Sequence, residues 1–99
     1  MQNVTVRRST SGDENGLARL AALDSASPPR GPALIAEAET RMLAALPLGA
    51  GRPIADPFER TAELVQLLEL RRSQIEAARR GTARERGFRS LLRGRLSHA

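Results

Sequence analysis

With 99 residues, the chain is long enough for one small domain and too short for two. It contains no Cys, Trp or Tyr and only two Phe, which excludes a disulfide framework, thiol chemistry and a platform for stacking bases. The net charge of +5 is uneven: residues 1–70 hold seven Arg against nine acids, whereas residues 71–99 hold nine Arg against two.

Asn3 to Arg7 alternates, with Val4 and Val6 on one face and Thr5 and Arg7 on the other, and reads as a short strand. Thr10 opens a helix over residues 11–24. Asp13 stands three residues later, a capping box with Asp in place of Glu. Leu17, Leu20, Ala21 and Leu23 supply its buried face, and Gly16 weakens it by about 1 kcal/mol relative to Ala. Asp24 to Pro32 is rich in Ser, Pro and Gly and reads as a loop.

Ala33 to Leu48 supports two readings. Its Ala, Leu, Glu and Met favour a helix by local propensity. Its polar residues cluster at the centre, and Pro47 and Gly49 cut the second half, which favours a hairpin with ALIAEA and MLAALPL as strands around Glu39-Thr40-Arg41. The pattern by itself leaves both standing.

Arg52 to Arg80 organises the rest. Ile54-Ala55 is a short strand ended by Asp56-Pro57. Thr61 is an N-cap, and Glu63 lies in the first turn, where the helix dipole favours an anion. Leu64, Leu67, Leu68 and Ile75 recur at helical spacing, with Val65 and Leu70 widening the stripe. Glu69, Arg72, Glu76 and Arg80 form a surface ladder. Gly81 is the expected end of this helix. Residues 1–81 are thus the domain and residues 82–99 a basic, mobile tail. In that tail Phe88, Leu91, Leu92 and Leu96 align on one helical face, but Gly87 and Gly94 interrupt it.

No apolar run suffices to span a bilayer, and no apolar segment follows Arg7 and Arg8 as in a secretory leader, so a cytoplasmic protein is the expectation. All sixteen basic residues are Arg, which with abundant Ala is the coding pattern of GC-rich bacteria. The lone His98 forms no catalytic or metal set. Asp56 and Glu59 read as a solvated turn, and Glu37 and Glu39 as water-facing positions on one side of a strand.

In this order, VTVRRSTSGD, ALIAEAE, RMLAALPL, RPIADPF and the Thr61 helix resemble the first two-thirds of a GNAT-type N-acetyltransferase. The resemblance covers residues 3–80 and favours the hairpin. It implies an α+β fold: a small, mostly antiparallel sheet of three to four strands with two helices, a partial GNAT-like fold. It also implies acetyl-CoA as cofactor, held by a loop of pattern Pro-x-x-Arg/Gln-Gly-x-Gly-x-Gly/Ala. Pro57 and Arg60 match that loop, and Thr61, Glu63 and Val65 take the positions of its small residues. Arg60 and Thr61 are therefore the cofactor-binding candidates. Those glycines let backbone N–H groups close on a pyrophosphate; Glu63 instead sets a carboxylate there, and Thr61 and Val65 obstruct approach. Acetyl-CoA is accordingly disfavoured, and no catalytic or metal residue is assigned.

The expectation is a non-catalytic, truncated GNAT-like domain that acts by protein interaction or self-association. One alternative is an acyl-CoA-binding protein or weak N-acetyltransferase completed by dimerisation. A lower one is binding of nucleic acid or an anionic surface through the Arg-rich tail. Phe88, Arg89, Leu92 and Arg93 are the partner-binding candidates.

Overall fold

A computed structural model describes residues 3–97, with side chains described for residues 3–82. The elements are β1 (Val4–Arg8), a 3₁₀ turn (Ser11–Asp13), α1 (Glu14–Leu23), β2 (Ala33–Ala38), β3 (Arg41–Pro47), β4 (Ile54–Ala55) and α2 (Ala62–Ser97). The strands form one antiparallel sheet in the order β1-β2-β3-β4. This is the α+β architecture expected from the sequence.

Ala33 to Pro47 is the hairpin. Ala33 to Ala36 and Leu43 to Leu46 are all buried, and this explains the choice. A helix resting on a core buries one stripe, whereas a strand covered on both sides buries every residue. Ala38 pairs with Arg41, so Glu39 and Thr40 alone make the turn. Glu39 therefore lies in the turn rather than beside Glu37 on a strand face, and takes φ +58°.

The two helices cover opposite faces of the sheet. On one, Leu17, Leu20 and Ala21 of α1 pack on Ile35, Ala45 and Ile54, with Met42 at the margin. On the other, Leu68 of α2 meets Leu34, Ala36, Ala44 and Leu46, with Val6, Leu64, Val65 and Ile75 around them. The register shifts between Ala36 and Glu37: Ala36 pairs with Ala44 but Glu37 with Met42, leaving Leu43 as the extra residue of a bulge. The bulge puts Met42 on the α1 face and Ala44 on the α2 face. Without it the two would share a face. Gly16 fits this arrangement closely, since a Cβ there would lie 2.9 Å from Met42 Cε.

α1 ends as a Schellman motif. The Ala26 N–H donates to Ala21 O (2.9 Å) and the Ser25 N–H to Ala22 O (3.3 Å), while Ser25 takes the left-handed φ of +51° that glycine usually supplies. α2 starts where expected: Thr61 O accepts the Val65 N–H at 2.8 Å, the first bond of the helix.

Several sequence expectations need correction. Leu23, Leu67 and Leu70 are exposed, not buried, and Val4 is exposed at the sheet edge. The apolar pattern of α2 is wider than the sheet beneath it, and among its described residues Leu64, Val65, Leu68 and Ile75 reach the core. Gly81 does not end α2, which runs on to Ser97. A helix of 36 residues is about 54 Å long, while six- or seven-residue strands span only about 20–24 Å. Much of α2 must therefore extend past the sheet.

Candidate functional site

The β4–α2 turn is where the resemblance places a phosphate site. A shallow concavity of about 670 Å³ opens there, lined by Asp24, Asp56, Glu59, Glu63, Arg60 and Thr61 among others. Arg60 is exposed in the turn, and Thr61 is half-buried at the helix N-cap. The structure thus brings the two cofactor-binding candidates together, within a ring of four carboxylates.

Those carboxylates have structural work. Asp56 is buried, with 5% of its surface exposed, which corrects its reading as a solvated turn residue. Its Oδ1 accepts the Phe58 N–H at 2.9 Å, closing an Asx turn. Its Oδ2 lies 3.4 Å from Arg41 Nη2, and Arg41 Nη1 reaches Glu59 Oε1 at 3.0 Å. Asp24 Oδ2 accepts the Ala55 N–H at 3.1 Å, tying the end of α1 to the two-residue edge strand. A helix N-terminus attracts anions through its free N–H groups and dipole. Here Glu63 lies in the first helical turn and Asp24, Asp56 and Glu59 stand around it, with Arg60 in the same lining and Arg41 paired to Asp56 and Glu59.

A second polar cluster, on the α1 face, escaped the sequence reading. Arg7 donates from Nη1 and Nη2 to Asp13 Oδ2 and Oδ1 (2.9 and 2.8 Å) and from Nε to Glu37 Oε1 (2.8 Å). The same Asp13 Oδ2 accepts the Thr10 N–H at 2.7 Å, the acidic half of the expected capping box. Hydrogen bonds from Arg7 and from the Thr10 backbone hold the Asp13 carboxyl far below the usual carboxylate range. Bonds to Asp13 and Glu37 in turn raise Arg7 well above its ordinary value. Glu37 is therefore partly buried in an ion pair rather than water-facing. The signal was present in the alternation itself, which puts Arg7 on the face opposite Val4 and Val6. Among the described residues, every buried side-chain N or O atom has a hydrogen-bond partner. This cluster consequently holds no buried polar atom without a partner.

A larger concavity, about 1130 Å³, lies at the loop end of the sheet, between residues 24–32, residues 47–54 and the fourth and fifth turns of α2. Arg8, Arg30, Arg52 and Arg79 reach it from four separate segments, against Asp24 and Glu76. Arg72, expected in a surface ladder, instead donates to Pro47 O (3.1 Å) and Gly51 O (3.2 Å) and fixes the loop after β3.

Apolar surface is left over on α2 and the turn before it. Phe58 is 82% exposed, Leu67 43% and Leu70 56%. The partner-binding candidates Phe88, Arg89, Leu92 and Arg93 fall within the α2 backbone, but their side chains lie outside the described residues.

Among the described residues, no group of three or more His, Asp or Glu side chains could hold a metal ion, and no helix is long and apolar enough to cross a membrane. Comparison with protein-family models, with curated proteins and with solved structures finds no match for this chain.

Proposed function

We propose that the chain is a non-catalytic α+β domain, on a GNAT-like scaffold, that acts by associating with another protein chain. The single observation that carries this reading is the outer face of α2. Leu67 and Leu70 stand exposed on a helix whose opposite side already fills the core with Leu64, Leu68 and Ile75. Large apolar side chains grouped on one solvent face, with Phe58 in the turn before the helix, mark an interaction surface. The carboxylate ring at the β4–α2 turn supports the non-catalytic half of the proposal, because it repels the anion an acyl-CoA enzyme must hold. The test is molecular mass by light scattering across a concentration series. Association that is lost in Leu67→Asp/Leu70→Asp supports the reading. Unchanged association in that variant rejects this surface.

A second reading rests on the loop-end groove. Four exposed arginines from separate segments, none ion-paired among the described residues, suit a polyanion. It predicts that duplex nucleic acid binds with a steep salt dependence, and that Arg30→Ala/Arg52→Ala reduces the slope of log affinity on log salt by about 2.

A further inference from the structure

We propose that the partner of α2 is a second copy of the same chain, with the two α2 helices lying antiparallel and crossing near Ala77 and Gly81. This rests on the reading of the domain as an association module, and it names the partner and the geometry.

The inference starts from spacing. Leu67, Leu70, Gln74, Ala77 and Gly81 follow one another at alternating steps of three and four, the seam of a helix pair. These five seam positions carry no charge, and Leu67, Leu70, Ala77 and Gly81 among them are all exposed. The α2 backbone is one helix to Ser97, so in the sequence the same register continues to Arg84, Phe88 and Leu91. The seam thus has large apolar residues near both ends and small ones at its centre.

An antiparallel pair uses that layout. By register along the helix it sets position 67 level with the partner's position 91, position 70 with its position 88, position 74 with its position 84, and Ala77 with the partner's Gly81, where the two backbones can approach closely. The arrangement also explains the helix length: each domain packs on the first half of its own α2, and the second half lies along the other copy. The two domains then sit at opposite ends of the pair and do not compete for space.

Charge selects the orientation. Residues 59–70 hold Glu59, Glu63 and Glu69 against Arg60. Residues 79–97 hold seven Arg against Glu85. An antiparallel pair lays the acidic stretch along the basic one twice, whereas a parallel pair lays seven Arg along seven Arg. Arg80 beside the partner's Arg80 is the one like-charged pair near the crossing, at an exposed position where water and salt screen it.

The chain has no Cys, so introduced thiols report on geometry without background. Under mild oxidation, Leu70→Cys/Phe88→Cys is expected to give a covalent dimer. The two positions within one helix are about 27 Å apart and cannot bridge internally. Leu70→Cys alone and Phe88→Cys alone should stay uncrosslinked. Glu63→Arg/Glu69→Arg, changed only on the surface, should weaken the dimer by about tenfold at low salt. Efficient crosslinking of Leu70→Cys to itself would overturn the antiparallel pairing while leaving association intact. A chain that remains monomeric by light scattering at high concentration would overturn the association reading, and this inference with it.

Discussion

Arg7 and Asp13 form a two-pronged ion pair, with Nη1 and Nη2 donating to the two carboxylate oxygens at 2.9 and 2.8 Å. The pair ties the first strand to the start of the first helix, and through Glu37 to the second strand. The parallel fork geometry makes this one of the stronger polar links available to a protein surface. It brings together three segments that the sequence separates by 6 and 30 residues.

The sign of its pH dependence follows from Asp13. The carboxyl is held far below its ordinary value by bonds from Arg7 and Thr10. Its contribution to stability is therefore complete above the unfolded carboxyl value, about 3.9, and is lost as pH falls further. Asp13→Asn is expected to cost about 1–2 kcal/mol at pH 7. Its urea midpoint should also fall less steeply than that of the parent below about pH 4. Parallel midpoint curves for the two proteins would count against the assignment.

Among the described residues, two turns carry a positive φ on a residue with a side chain: Ser25 at +51° and Glu39 at +58°. Each conformation costs about 1 kcal/mol that glycine avoids, partly offset by glycine's looser unfolded chain. Ser25→Gly and Glu39→Gly should each stabilise the domain, by about 0.5 kcal/mol, and should add in combination because the turns are distant. Thermal melts of the three variants would decide it; a lower melting temperature for either single change refutes the strain.

Leu67 and Leu68 are neighbours with opposite fates. Leu68 is fully buried against the face of strands β2 and β3, whereas Leu67 is exposed. Leu68→Ala should destabilise by about 3 kcal/mol through lost burial and the cavity left behind. Leu67→Ala should change the stability of the isolated domain by no more than about 0.5 kcal/mol. Equal losses in chemical denaturation would mean that α2 is rotated from the orientation described.

Acetyl-CoA is expected not to bind measurably. Calorimetry showing a dissociation constant tighter than about 100 μM, or about 5.5 kcal/mol, would contradict the role given to Asp24, Asp56, Glu59 and Glu63.

Local signals in the sequence were enough for the elements outside Ala33 to Pro47. Alternation marked β1, Thr10 and Thr61 marked the helix starts, and Asp24 to Pro32 marked its loop, because capping and turn chemistry act between residues a few positions apart. Tertiary structure alone decided the rest. Ala33 to Pro47 is a hairpin because helices cover both faces of the sheet, and no local propensity contains that fact. Asp56 is buried because Arg41, fifteen residues away, comes to meet it. Leu67 and Leu70 are exposed because the sheet is narrower than the apolar stripe laid over it, and a stripe does not reveal how much of itself will be covered. Burial and ion pairing depend on which distant residues arrive at a place, and that is settled by the packing of the whole chain.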